Sequence, residues 1–228
     1  MYPLLQIDTT SNLSGSGTSP VLFDFNQFIA GGWPMIPLAL LLILAIFIFI
    51  ERYRLIRKMD GDSEELLEKV RMLVISGKIE EAKRVCQQQD DAFSRMLHKG
   101  ISRLGRASLK DIEGSIENVG KLEVYRMERR LSLLATIAGA GPMIGFLGTV
   151  LGMIKAFSAI VQGQGNAGPV ELADGISQAM ITTAFGLVVG ILAFIFYNSL
   201  VAMVSKVIFK LELTSTSFID LLQEPADA

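Results

Sequence analysis

The residues of this chain that could take part in chemistry inside a membrane are three hydroxyls and one amide. Thr149 lies in one long apolar stretch, and Gln178, Thr182 and Thr183 lie in the next one. Threonine and glutamine side chains can donate to and accept from a passing hydrated ion, but neither titrates at physiological pH. These four residues are therefore candidates for lining an ion path, and they are not candidates for carrying the proton.

Both stretches lack ionisable residues over most of their length. No Asp, Glu, His, Lys or Arg occurs between residues 131 and 154 or between residues 176 and 205. Proton relays within membranes usually depend on acidic or histidine side chains. The sequence therefore predicts that a second protein supplies the proton carrier.

Small residues accompany the hydroxyls at helical spacing. On a helical wheel they share about a 100° arc with Thr149 in the first stretch and one broad side with Gln178, Thr182 and Thr183 in the second. Small residues four apart let two membrane helices approach closely. Helix packing is predicted for Gly141, Gly145, Gly148, Gly152, Gly186 and Gly190, and Pro142 is expected to bend its helix. The hydroxyls exceed what packing requires, which favours a water-lined face, but a purely structural membrane scaffold stays open as an alternative.

Composition places the chain among multi-span membrane proteins. It has 228 residues, half of them hydrophobic, and its mean hydropathy is +0.45. Three apolar runs, at 33–50, 131–161 and 175–209, are long enough to span a bilayer. The second and third measure about 45–50 Å as helices, more than the roughly 30 Å hydrocarbon core. We expect an all-α membrane protein with three transmembrane helices, two of which extend beyond the bilayer.

The placement of positive charge predicts the topology. Of the 21 Lys and Arg residues, only Lys155, Lys206 and Lys210 lie outside residues 51–130. The positive-inside rule therefore places 51–130 in the cytoplasm. It follows that residues 1–32 and the link 162–174 lie outside, and that the C-terminal tail 210–228 lies inside.

The cytoplasmic segment 51–130 alternates charged and apolar residues at helical period. Helices are predicted to start near Ser63, Ile79, Ala92 and Leu109. Because no helix breaker occurs between residues 121 and 136, the last of these should continue unbroken into the second span.

The external segment 1–32 is predicted to be a flexible tail followed by a short interfacial helix. Phe25, Phe28 and Ile29 would share the apolar side of that helix. Trp33 follows at the level of the lipid headgroups.

Several classes of function are disfavoured by what the sequence lacks. Cys86 and His98 are each the single residue of their type, so neither an intrachain disulfide nor a His/Cys metal cluster is expected. No nucleophile–base pair or phosphate-binding loop is present. The sequence therefore predicts a protein that is not an enzyme and has no cofactor, no metal and no nucleic-acid partner.

The second and third spans carry a specific resemblance. They read Gly141-Pro-Met-Ile-Gly-Phe-Leu-Gly-Thr-Val-Leu-Gly152 and Gly175-Ile-Ser-Gln-Ala-Met-Ile-Thr-Thr-Ala-Phe-Gly-Leu187, followed by Tyr197-Asn198. The same resemblance is carried by the segments on either side of span one, which are Gly31-Gly-Trp-Pro34 before it and Glu51-Arg-Tyr53 after it. Across about residues 24 to 215 the chain resembles the ExbB/TolQ/MotA proton-channel family, and within it the ExbB branch.

The resemblance implies a subunit of a proton-driven motor in the bacterial inner membrane, with a periplasmic N-terminus and a cytoplasmic C-terminus. Such subunits form a homo-oligomer, typically a pentamer, around the helices of an ExbD-like single-span protein that supplies a transmembrane Asp. The energy passes to a TonB-like protein that acts on outer-membrane transporters. A TolQ-like or gliding-type motor is the alternative.

The family's pore threonines correspond to Thr149 and Thr183. One position departs from the family pattern, because Gln178 stands where ExbB and TolQ proteins commonly have Glu. The titrating role is therefore assigned wholly to the partner.

Overall fold

A computed structural model describes residues 31–61, 63–163 and 168–223, and every regular element in these ranges is a helix. The helices are α1 (Met35–Met59), α2 (Ser63–Ile75), α3 (Ile79–Gln88), α4 (Ala92–Ile101), α5 (Leu109–Glu128), α6 (Leu131–Gln162) and α7 (Pro169–Gln223). Three stretches, in α1, α6 and α7, are long and apolar enough to cross a membrane. The prediction of an all-α protein with three spans is therefore confirmed. The interfacial helix predicted around Phe25, Phe28 and Ile29 lies outside the described residues.

The short helices α2 to α5 begin where the sequence predicts, and local capping explains two of these starts. Asp91 precedes α4 and accepts a hydrogen bond from the backbone N–H of Ser94 at 2.6 Å. Ser108 and Asp111 form a reciprocal capping box at the start of α5. Gly77 and Gly105 form the turns before α3 and α5 with φ of +73°, a backbone conformation that favours glycine.

The predicted unbroken helix through the second span is wrong. The helix α5 ends at Glu128, Arg130 adopts a φ of +70°, and α6 starts afresh at Leu131. A left-handed conformation costs a non-glycine residue about 1–2 kcal/mol. Tertiary contacts offset this cost, because Arg130 pairs with Glu51 of α1 at 2.6 Å.

A second contact from α1 secures the end of α5. The guanidinium of the buried Arg52 donates to the carbonyl oxygen of Arg126, in the last turn of α5, at 3.1 Å. This carbonyl has no intrahelical partner beyond the helix end, so an external donor satisfies it. No propensity rule predicts a break that depends on residues 74 positions apart.

The helix α7 is the longest helix among the described residues. It has 55 residues and is therefore about 80 Å long. Its first turns cover residues 169–174 of the predicted link, and its last turns cover much of the predicted tail, as far as Gln223. Near its C-terminal end the fully buried Phe218 packs against Gly100 of α4, and Ile116 of α5 meets the same glycine. This one helix therefore packs both with the other two spans and with the short helices between α1 and α6.

The helix α1 packs against the other two spans along one side. Phe49 of α1 stacks on Phe196 of α7, with ring centroids 4.3 Å apart. Other side chains of α1, including Ile36, Ile43 and Phe47, are exposed. An apolar exposed side on a spanning helix is typical of a surface that faces lipid.

Candidate functional site

The candidate site is built on a close contact between α6 and α7. At Gly186 an added Cβ would lie 2.7 Å from the Cα of Gly145 and 2.7 Å from the carbonyl oxygen of Gly141. At Gly141 an added Cβ would lie 3.0 Å from the backbone nitrogen of Gly190. The two backbones therefore touch here, and side chains larger than hydrogen would push the helices apart.

The contact continues towards both ends of the pair. At Gly152 an added Cβ would lie 2.7 Å from the carbonyl oxygen of Gly175. At Gly190 it would lie 2.6 Å from the ring of Pro142, so the proline ring packs directly on this glycine. All the glycines predicted to mediate packing lie along this contact, and its rigidity fixes the positions of the threonines beside it.

Thr182 lies inside the α6–α7 contact. Its side chain is fully buried and fills the space left open by the missing side chain of Gly148. Its hydroxyl lies 3.1 Å from the carbonyl oxygen of Gln178 and 2.9 Å from that of Ala179, both on its own helix. The hydroxyl is thus satisfied locally, and Thr182 is enclosed between the two helices.

Thr183 lies at the edge of the same contact and is half-buried. Its hydroxyl lies 3.2 Å from the carbonyl oxygen of Gly145 on α6 and 3.2 Å from that of Ala179 on its own helix. One O–H can donate to only one of them at a time, and the oxygen keeps lone pairs that can accept. Thr183 therefore presents acceptor capacity at the edge of the contact.

Thr149 is half-buried on α6, one helical turn beyond Gly145. Its hydroxyl donates to the carbonyl oxygen of Phe146 at 2.6 Å. As with Thr183, donation to backbone leaves the oxygen free to accept. Both hydroxyls are thus placed around the same turns of α6.

Gln178 lies on a different side of α7. Five residues separate it from Thr183, which is about 140° around a helix. Its amide nitrogen lies 3.5 Å from the carbonyl oxygen of Gly31, at the start of α1, and its amide oxygen accepts from Lys155 of α6 at 3.3 Å. Lys155 itself is about 120° around α6 from Thr149. Thr149 and Thr183 therefore both lie beside neighbouring turns of α6, at Phe146 and Gly145, whereas Gln178 makes its contacts with Lys155 and Gly31.

Two groups of polar residues were missed by sequence reasoning. Lys155 also pairs with Asp174 of α7 at 2.7 Å, and the signal available was that Lys155 is the only cation between residues 131 and 205. In α5, Glu123 is only 1 % exposed and binds Arg95 through both carboxylate oxygens, at 3.0 and 2.9 Å. Arg126 bonds the same carboxylate at 2.6 Å. Nothing in the charge pattern distinguishes Glu123 from its solvated neighbours.

A sequence profile of the MotA/TolQ/ExbB proton channel family matches residues 88–213, which is more than half of the chain. The chain belongs to this family. The matched range contains both spans that carry the threonines. This MotA/TolQ/ExbB member is therefore a multi-pass membrane protein of a proton-channel family, which is a transport family and not an enzyme family.

Three relatives show how the similarity is distributed within the family. The biopolymer transport protein ExbB-like 1 of Synechocystis sp. is 34 % identical over 195 residues, which cover 82 % of this chain and 74 % of that protein. The biopolymer transport protein ExbB of Pseudomonas putida is 29 % identical over 150 residues, 60 % of this chain and 44 % of that protein. The Tol-Pal system protein TolQ of Haemophilus influenzae is 42 % identical over 78 residues, 34 % of each chain. Both the ExbB and the TolQ branches are thus represented among the relatives.

Proposed function

We propose that this chain is an ExbB-like subunit of a proton-driven motor in the bacterial inner membrane. The observation that carries the proposal is the pair Thr149 and Thr183. These hydroxyls flank neighbouring turns of α6, at the edge of a glycine contact, in spans without ionisable residues. A path lined in this way can hydrate a proton carrier and cannot itself hold the proton.

The chemistry of a hydroxyl suits a carboxylic acid that changes its protonation state. A protonated Asp donates an O–H, which the lone pairs of a threonine oxygen accept. An ionised Asp accepts only, and the same hydroxyl can rotate to donate to it. Thr149 and Thr183 could therefore stabilise a partner's transmembrane Asp before and after it loses its proton.

The assembly that we propose is a homopentameric ring around the helices of an ExbD-like partner. A ring of identical subunits offers the Asp several equivalent threonine sites between which it can step. Each proton that crosses 100 mV releases about 2.3 kcal/mol. We propose that a TonB-like protein receives this energy for outer-membrane transport.

A TolQ-like motor is the second candidate. It rests on the 42 % identity to the TolQ protein of Haemophilus influenzae over 78 residues. The two candidates share the ion path and differ in the system that is driven. Pull-down of this chain from membranes distinguishes them by whether a TonB-like or a Tol-type protein is recovered with the single-span partner.

The test of the ion path replaces hydroxyls with methyl groups of similar volume. Thr149→Val and Thr183→Val, singly and together, are expected to keep expression and oligomer size and to lower proton flux at least tenfold in vesicles that contain the partner. The matched control is Thr136→Val, because Thr136 also lies on α6 and also donates to a carbonyl of its own helix, Ser132, at 2.9 Å. Native flux in the double variant would remove this proposal and favour the scaffold alternative.

A further inference from the structure

The outer ends of the three spans are joined by one continuous set of polar contacts. The ammonium of Lys155 on α6 bonds Asp174 of α7 at 2.7 Å and the amide oxygen of Gln178 at 3.3 Å. The amide nitrogen of Gln178 faces the carbonyl oxygen of Gly31, before α1, at 3.5 Å. Asp174 and Gln178 are four residues apart and so lie on one side of α7.

The length of α6 leads us to expect these contacts near the membrane boundary. Lys155 is 24 residues after the start of α6 at Leu131, which places it about 36 Å along the helix. That distance exceeds the roughly 30 Å hydrocarbon core. Both side chains of the Lys155–Asp174 pair are more than half exposed, so this ion pair alone contributes little to stability.

The amide at position 178 suits this place better than a carboxylate. It accepts from Lys155 with its oxygen and faces Gly31 with its nitrogen. A carboxylate only accepts hydrogen bonds. It could keep the contact with Lys155, but it would place an oxygen atom next to the carbonyl oxygen of Gly31. The Gln178 side chain is therefore matched to a link between α6 and α1.

We propose that Lys155, Asp174 and Gln178 form an outer clasp that holds the starts of α1 and α7 against α6, and that Gln178 is a positioning residue outside the ion path. Asp174 adjoins Gly175, whose carbonyl oxygen is part of the close contact with Gly152. Release of the clasp would loosen this contact first. The effect on the path rests on the proposed function, whereas the geometry of the clasp does not.

The clasp is tested by a distance that does not depend on flux. In a Cys86→Ala background, spin labels at Trp33→Cys and Val170→Cys report the separation of the starts of α1 and α7, and both native side chains are exposed. Lys155→Met, Asp174→Asn and Gln178→Glu should each broaden or shift the distance distribution. Lys155→Arg should keep it, and the exchange of charges in Lys155→Asp with Asp174→Lys should restore it. Lys206→Met, which removes a lysine from the inner part of α7, is the control.

Flux is measured on the same variants in vesicles that contain the partner. Since exposed ion pairs contribute little, we expect about a three- to fivefold change in flux for Lys155→Met and Asp174→Asn, with recovery in the exchanged pair. Native distances in both Lys155→Met and Asp174→Asn would overturn the clasp. A distance in the exchanged pair that is altered as much as in these single variants would overturn it too. Altered distances with native flux would overturn its influence on the path. If the threonine variants kept native flux, the distance measurements would still decide whether the clasp exists.

Discussion

The hydroxyl of Thr183 on α7 lies 3.2 Å from the backbone carbonyl oxygen of Gly145 on α6. This reach across the pair is possible because Gly145 has no side chain. The preceding residue, Thr182, is instead enclosed against Gly148. Two adjacent threonines that look equivalent in the sequence therefore occupy different environments, one at the edge of the helix contact and one within it.

Thr182→Val should leave proton flux native. The hydroxyl of Thr182 bonds only carbonyls of its own helix, and those carbonyls keep their helical partners, so we expect a loss of about 1 kcal/mol or less in stability. The measurement is flux in vesicles beside Thr183→Val, with oligomer size checked for both. A loss of flux in Thr182→Val equal to that in Thr183→Val would show that burial does not separate the two roles.

Gly148→Leu and Gly186→Leu should disrupt the α6–α7 pair and with it the assembly. Both glycines face atoms of the other helix so closely that even a Cβ would collide. Gly139→Leu is the matched control, since Gly139 lies on α6, as Gly148 does, and nothing lies within 4 Å of an added Cβ. Native mass spectrometry in mild detergent should find the control as a ring and the other two as smaller species. A stable native monomer would contradict the proposed ring.

Glu123→Gln should destabilise the packing of α5 against α4. Neutralising this buried carboxylate removes the counter-charge of Arg126 and one of the two counter-charges of Arg95, which also pairs with Asp90. Breaking an ion pair in this way costs about 3–5 kcal/mol when the partners are fully buried. Because these two arginines are partly exposed, we expect about 2–3 kcal/mol. Glu117→Gln, which breaks an exposed pair with Lys121, should cost less than about 1 kcal/mol. Thermal unfolding in detergent measures both, and equal shifts would contradict the expected difference.

The thiol of Cys86 should be unreactive in the folded protein. Burial, with a smaller contribution from the charge of Asp91, raises the pKa of this thiol from 9.0 to about 12. The thiolate is the nucleophile, so labelling by a maleimide at pH 8 should proceed only after unfolding. Since the folded pKa is the higher one, the contribution of Cys86 to stability is present below pH 9 and is lost as pH rises towards 12. Rapid labelling at pH 8 without denaturant would contradict the buried placement.

The proposed orientation can be tested with single cysteines in a Cys86→Ala background. Ser76→Cys, in the exposed turn after α2, should resist an impermeant thiol reagent in intact spheroplasts and react after lysis. Ser16→Cys, in the external N-terminal segment, should react in both cases. Labelling of Ser76→Cys in intact spheroplasts would overturn the topology.

Elements that depend on local pattern could be predicted from the sequence. Three apolar runs predicted the three spans, because a bilayer requires about 20 apolar residues in succession. The starts of α2 to α5 were predicted from local pattern, and two of them are capped within one turn, by Asp91 and by Ser108. The spacing of small residues predicted the faces of α6 and α7 that meet, since residues four apart share one side of a helix.

Tertiary structure alone decided the features that depend on contacts between distant residues. The break at Arg130 is stabilised by Glu51, 79 positions away, and so no local signal predicts it. The pairing of Lys155 with Asp174 and the burial of Glu123 against Arg95 arise only when separate helices are brought together. The different environments of Thr182 and Thr183 have the same origin. A helical wheel places both on one side of α7, and only the position of α6 determines which one is enclosed.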